Sequence, residues 1–265
     1  MMRRPFVLSL LPERLRVSLY HRCYHPVAPH WTPLFDAAPL AYAPNITMTL
    51  VPTDVMHGCI ALTGVYELGL TRRLSRLARA GGMLLDVGAN AGYFSLLWAA
   101  ARPDNRCIAF EASPRNAVML SENVRRNCFQ DRINVRAIAA GKSGGTYLFN
   151  AGPTGQTGWG AFATKEDRNA QPIPVVRIDE TVDNASDIAV LKIDAEGADT
   201  WVLEGCELLL RAKRIRHIFY EQNRPRMRAL GIGESEAGRF LASMGYDARP
   251  YGRSGRDVVD WVAES

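Results

Sequence analysis

Four carboxylates draw attention by where they stand in the chain. Asp86 closes the apolar run "MLLDV" and leads into Gly88-Ala89-Asn90-Ala91-Gly92, where two glycines let the backbone bend sharply and approach a ligand closely. Glu111 closes a second apolar run, "RCIAFEA", 25 residues further on. Asp194 closes "VLKID", with Glu196 two residues later, and Glu221 closes "IRHIFYE". Apolar runs of this length, each ending in an acid, read as strands that deliver carboxylates to one edge of a sheet. In open α/β sheets that edge is where ligands bind.

The first turn selects among ligands. A dinucleotide would favour GxGxxG, because its pyrophosphate rests on the amides of a helix N-terminus. Here the spacing is GxxxG, and Asp86 precedes the first glycine by two residues. Such an acid repels phosphate and suits a cationic ligand without phosphate. S-adenosylmethionine, with its sulfonium and ammonium groups, is such a ligand, and Glu111 is placed to accept hydrogen bonds from both ribose hydroxyls. The bland alternative is a tight turn with a capping acid.

The other acids read as the reactive end. Asp194 has two open roles: a base that takes a proton from a nucleophile, or a polar group that orients ligands. Glu196 suits a functional role and a helix cap with Gly197 equally well. Together Asp194 and Glu196 could hold magnesium, but no third ligand is evident and no metal is expected. Glu221 either contacts the acceptor as a possible base or pairs with Arg224 or Arg226. Lys192 lies close by in sequence. His21, His25, His30 and His57 precede the strands, and His217 sits within one. An N-terminal extension could fold one of them over a pocket, but each is read as a surface or satisfied histidine.

The elements that must hold these groups alternate from Met83 onward. "MLLDV" is a strand, Gly92 to Ala101 a helix and "RCIAFEA" a strand. Pro114 to Asn127 is a helix with Ser113 as N-cap, and "INVRAIAA" is a strand. This order implies parallel strands with right-handed crossovers. The segment from "GGTYLFN" to "PIPVVRID" then holds two strand-like pieces around a glycine-rich centre, and residues 150–171, carrying Trp159 and Phe162, read as a loop or lid inserted into the domain. "IAVLKIDAEG", a helix from Thr200 to Arg211, "IRHIFYE" and a helix from Glu234 to Met244 resume the pattern, and "YDARPY" with "DVVDWVAE" closes it as a hairpin. Residues 1–80 read as a mainly helical extension on the acceptor side, and 81–265 as the ligand-binding domain. In the extension, Leu8, Leu11, Leu15 and Leu19 mark one amphipathic helix. A proline-rich connection, a strand "ITMTLVP" and a helix from Tyr66 to Arg79 follow.

Composition narrows the class. A chain of 265 residues, 47% of them apolar, can build one large core. The net charge of +5 reads as a solvated basic surface; no arginine block is interleaved with aromatics as a nucleic-acid platform would be. Five cysteines, with no CxxC pair, argue against a disulfide framework or a zinc site and for reduced thiols in the cytoplasm. The apolar start is cut short by Pro12-Glu13-Arg14, and no segment is long enough to span a bilayer.

"LLDVGANAGYFSLLWAA", "IAFEASPRNAVMLSENVRRN" and "VLKIDAEGAD" together resemble the FkbM-type methyltransferases over about residues 60–222. The family usually has proline where Ala112 stands and glutamate where Asp199 stands. The resemblance implies a Rossmann-like class I methyltransferase fold: α/β, with a seven-stranded, mostly parallel sheet and a C-terminal antiparallel hairpin. It also implies S-adenosylmethionine as cofactor, S-adenosylhomocysteine as product, and sugars, glycolipids or secondary metabolites as acceptors. Motif matching carries over Asp86, Gly88, Asn90, Gly92, Glu111 and Asn116, and Tyr93, Ala112 and Ala140 complete the expected cofactor site. Asp194, Glu196 and Glu221 are the expected catalytic groups. O-methylation of a small molecule is expected ahead of N-methylation, by a chain that binds no nucleic acid, inserts stably in no membrane and could form a homodimer. The rivals are an NAD-dependent dehydrogenase and a non-catalytic ligand-binding module.

Overall fold

The computed structural model describes residues 4–163, 167–183 and 187–265. The extension opens with α1 (Phe6–Leu10) and α2 (Glu13–Leu19), where one helix was expected. The break falls at Leu11, held extended because it precedes Pro12. The leucine stripe is therefore split: Leu8 is buried and Leu15 exposed. A π turn and a 3-10 segment lead to α3 (Thr32–Phe35), β1 (Ala38–Pro39) and β2 (Thr47–Met48), then to α4 (Val55–Thr63) and α5 (Leu68–Ala80).

Only two residues of "ITMTLVP" pair as a strand, with β1. Side chains replace the missing partner. Asn127 accepts from the Thr47 N–H (3.1 Å) and donates to its carbonyl (2.8 Å), and Asn123 does the same for Thr49 (2.7 and 3.1 Å). The two asparagines lie one helical turn apart, so their amides form a short ladder that satisfies this backbone.

The rest of the chain runs β3 (Met83–Val87), α6 (Tyr93–Ala101), β4 (Arg106–Phe110), α7 (Pro114–Arg126), β5 (Ile133–Arg136), β6 (Ala139–Ala140), β7 (Gly145–Asn150), β8 (Ala161–Phe162) and β9 (Gln171–Val176). It continues with β10 (Ile188–Ile193), α8 (Asp199–Glu204), α9 (Glu207–Arg211), β11 (Ile215–Asn223), α10 (Arg224–Ala229), α11 (Glu236–Ser243), β12 (Asp247–Ser254) and β13 (Val258–Glu264). The main sheet has seven strands in the order β12-β13-β11-β10-β3-β4-β5. Its five inner and first-edge strands are parallel, and β13 and β12 return antiparallel. The α/β class, the sheet and its closing hairpin match the expectation.

"INVRAIAA" divides. Ile133–Arg136 forms an edge of the main sheet, while Ala139–Ala140 crosses to a second sheet, β6-β9-β7-β8. That second sheet flanks and pins the segment expected to be a loop or lid. Strand β8 pairs Ala161 and Phe162 with Asn150 and Phe149, and Phe162 packs against Tyr147, Phe149 and Trp201. Arg115 fastens the preceding loop through the carbonyls of Ala151 (2.7 Å) and Pro153 (2.8 Å). The expected helix over 200–211 is likewise two helices, interrupted at Gly205-Cys206.

The sheet is packed on both faces. One core joins the extension to α5, α6 and α7, with Leu8, Tyr20, Phe35, Leu62 and Trp98 in a single cluster. The other lies under α8, α9 and α11. No described helix is long and apolar enough to cross a membrane, and all five cysteines are free thiols.

Candidate active site

The β3–α6 turn is shaped by two left-handed glycines. At Gly88 (φ +72°) an added Cβ would lie 2.0 Å from the Asp194 carbonyl oxygen, and at Gly92 (φ +92°) one would lie 2.4 Å from a methyl of buried Leu120. Between them Asn90 is left-handed without being glycine, at φ +49°. Backbone of this kind persists only where its surroundings fix it. Glu111 supplies one constraint: its Oε2 accepts the Asn90 N–H at 2.7 Å, and its Oε1 accepts the Ser113 N–H at 2.9 Å. The expected side-chain cap from Ser113 is absent; its hydroxyl has no hydrogen-bond partner among the described residues.

These residues wall a cavity of about 340 Å³ at the carboxyl edge of the sheet. Gly88, Asn90, Tyr93, Glu111, Ala112, Asn116, Ala140, Asp194, Glu196 and Glu221 all line it. Gly92 does not; it turns the chain and packs on Leu120. Asp86 does not either. It is fully buried beneath the turn, where its Oδ2 accepts from Ser95 (2.6 Å) and its Oδ1 meets Lys192 (3.3 Å). The expectation that Asp86 itself attracts a cationic ligand is thus corrected: register pairs Asp86 with Lys192 across β3 and β10, and the lysine neutralises it.

The acidity of the cavity comes from other groups. Glu111, Asp194, Glu196 and Glu221 line it against Lys192 and Arg226. Burial opposes the charge on Lys192, but Asp86 and Asp194 outweigh burial and push its pKa up. The ammonium donates to the Gly88 carbonyl at 3.0 Å and lies 3.8 Å from Asp194. Glu111 is only 6% exposed, and burial raises its pKa against the hydrogen bonds it receives. Oε2 takes one N–H and retains a lone pair for a ligand hydroxyl, whereas Oε1 also accepts the Asn116 amide at 3.5 Å.

At the opposite wall, Glu196 (φ +50°) pairs with Arg226 at 3.4 Å and accepts from Asn223 at 3.3 Å. It does not cap α8. Arg224 pairs with Glu234 instead. Buried Asp199 joins the two strand ends, accepting the N–H groups of Ala195 (3.3 Å) and Glu221 (3.0 Å).

The extension contributes a residue that spacing did not single out. His57 is fully buried and lines the cavity. Its Nδ1 accepts the Val51 N–H at 3.0 Å, which leaves Nε2 to carry the proton toward Asn90 Oδ1 (3.2 Å) and Thr157 (3.3 Å). Burial lowers its pKa. A neutral, doubly engaged imidazole is a satisfied histidine, and it positions Asn90. The Asp54 carboxylate binds the His57 N–H (2.9 Å) and both the N–H and hydroxyl of Thr157 (2.5 and 2.8 Å), clasping extension to insert. Only the Asp54-x-x-His57 spacing, an N-cap signature, hinted at this. Lys192 had a clearer signal, being a lone cation in a fully buried strand.

A family model described as methyltransferase FkbM domain matches residues 86–248. No curated protein matches the chain. Among solved structures, the methyltransferase FkbM from Methylobacillus flagellatus KT is 14% identical, with a TM-score of 0.51. The alignment covers 96% of this chain and 62% of that one, so the chain spans less than two thirds of that protein's length. A precorrin-6y C5,15-methyltransferase from Geobacter metallireducens GS-15 is 12% identical (TM-score 0.43), over 74% of this chain and 87% of that one. The N-terminal domain of human METTL16, solved in complex with SAH, is 14% identical (TM-score 0.44), over 75% and 69%. With a family match over more than half its length, and the seven-stranded sheet and acid-tipped strands that go with it, the chain belongs to the FkbM methyltransferase family.

Proposed function

We propose that the chain transfers a methyl group from S-adenosylmethionine to a hydroxyl oxygen of a small molecule. The observation that carries this reading is the cavity at the sheet edge, with Glu111 on one wall and Asp194 with Glu221 on the other. The residues present fit the cofactor. The left-handed turn brings backbone to the cavity wall, Glu111 keeps an acceptor site on Oε2, and buried Asn116 has an Oδ1 with no partner among the described residues. Bound here, S-adenosylmethionine supplies an electrophilic methyl on a sulfonium sulfur and leaves as S-adenosylhomocysteine.

The chain's residues then have separable tasks. Glu111 and Asn116 bind and orient the nucleoside. His57, through Asn90, keeps the turn in its bound shape. Asp194, set beside Lys192, and Glu221 face the reacting end. With the cofactor's methyl as electrophile, one of these carboxylates would take the proton that the acceptor hydroxyl gives up. Much of the acceleration comes from holding acceptor and methyl in line.

Calorimetric titration tests the reading. S-adenosylhomocysteine binds the wild-type chain and NAD does not. Glu111→Gln replaces one carboxylate oxygen with an amide nitrogen that faces an N–H donor. It weakens S-adenosylhomocysteine binding by at least tenfold, about 1.4 kcal/mol. Absence of S-adenosylhomocysteine binding, or equal affinity in wild type and variant, rules the reading out.

A further inference from the structure

The extension carries a surface unlike the rest of the molecule. Among the described residues, seven large apolar side chains stand exposed, and four of them, Phe6, Val7, Leu10 and Leu15, fall within ten residues of sequence. Phe6 and Leu10 are one turn apart on α1 with Val7 between them, while Leu8 on the other side is fully buried. Along α2 and the π turn that follows, exposed Arg14, Leu15, Ser18 and Arg22 recur every three to four residues, and Tyr20 on the other side is buried. Both helices pack on α4, so each turns its exposed side away from the core. Single exposed leucines are ordinary, but a cluster marks a surface that meets something.

Charge is just as unevenly placed. Residues 1–35 hold five arginines (Arg3, Arg4, Arg14, Arg16 and Arg22) and one acid, Glu13, a net +4, so the rest of the chain contributes only +1 of the total +5. Glu13 is itself paired with Arg72 from α5, at 2.8 Å. Arg4 and Arg16 are committed to the fold. Arg4 donates to the carbonyl of Ala61 (2.9 Å) and Arg16 to that of Thr63 (3.2 Å), both in the last turn of α4, where a helix ends in unpaired carbonyls. Arg14 and Arg22 stand on the exposed side instead.

Apolar side chains flanked by arginines, with the segment's one acid already paired, match an anionic lipid surface. At such a surface the leucines enter the boundary of the acyl chains, and the guanidiniums stay among the headgroup phosphates. A second copy of the chain fits less well. A two-fold contact through this patch would set Arg14 and Arg22 of both copies in one interface, with no acid of the segment left to answer them. The contact is peripheral, since no described helix is long and apolar enough to cross a membrane.

We propose that the exposed side of α1 and α2 docks the protein on anionic phospholipid bilayers. Leu10 and Leu15, with Phe6 and Val7, enter the interface, and Arg14 and Arg22 hold the headgroups. The helix beneath, α4, also lines the cavity at the sheet edge through Met56, His57 and Ile60, so docking places that cavity one helix behind the lipid contact. The proposal stands independently of the methyltransferase reading.

The test is sedimentation of the full chain with vesicles of phosphatidylcholine alone, or of phosphatidylcholine and phosphatidylserine mixed two to one. The chain is expected to partition at least tenfold more strongly into the mixed vesicles, and raised salt to remove the difference. Arg14→Gln with Arg22→Gln lowers partition into the mixed vesicles about 25-fold, at about fivefold for each charge. Leu10→Ser with Leu15→Ser lowers it at least fivefold and keeps the preference for anionic lipid. Arg125→Gln with Arg126→Gln, exposed arginines on α7, changes it less than twofold. All six positions are exposed, and unchanged thermal melting shows that the variants fold. Equal partition into both vesicles, no sedimentation with either, or equal losses from the two arginine pairs overturns the proposal. So does self-association of wild type that Leu10→Ser with Leu15→Ser abolishes, which would make the patch a contact between copies.

Discussion

Asp199 shows how one side chain can tie stability to pH. It is buried, its pKa is raised to about 7 by burial first and then by Asp194, and it receives two backbone N–H groups. Its folded value lies above the ordinary 3.8, so the folded chain holds the proton more tightly than the unfolded chain. This contribution is complete below pH 3.8 and is lost as pH rises through about 7. Asp199→Asn removes the titration and leaves one N–H facing an amide donor, at a cost of about 1–3 kcal/mol. Wild type should therefore melt above the variant, by a margin that narrows as pH rises from about 5 to about 8; a margin that widens would contradict this. At this scale the sequence was partly readable. Glu111, Asp194 and Glu221 announce themselves as acids at strand ends, and all reach the cavity. Asp86 carries the same signal, yet lies below it. Its fate depends on cross-strand register with Lys192, which no local pattern contains.

At the scale of elements, the two turn glycines do different jobs and should fail differently. An alanine Cβ at position 88 meets the backbone carbonyl of Asp194, the residue after β10, which has nowhere to go. At position 92 it meets a flexible leucine methyl. Both substitutions carry left-handed strain of about 1–3 kcal/mol, so urea titration should rank Gly88→Ala as clearly the more destabilised. Equal losses would mean that the close approach to Asp194 is relaxed in solution. The inner strands β3, β4, β10 and β11 were legible because each is a largely buried apolar run between helices. Of the second sheet only β7 and β9 could be read as strand-like pieces; β6 and β8 are two residues long, and their pairing is set by tertiary neighbours. The asparagine ladder from α7 was invisible for the same reason, since it satisfies a backbone 74 to 80 residues away.

The whole molecule has fewer joints than a division at residue 80 suggests. Leu8, Tyr20, Phe35, Leu40, Met48, Ile60 and Leu62 belong to one core with Leu84, Leu96 and Trp98. Removing residues 1–64 would uncover that face of the sheet, and the truncated chain is expected to lack cooperative thermal unfolding by circular dichroism. A sharp transition in the truncated chain would show that the sheet stands alone. The Asp54 clasp has a further consequence, in time rather than space. A ribosome releases Asp54 long before Thr157, its partner 103 residues later, and the central strand β10 later still. The first sixty residues therefore emerge with neither their core nor their latch. Until Thr157 follows, 103 residues after Asp54, the segment lacks its latch, a period in which its leucines and aromatics are open to chaperones.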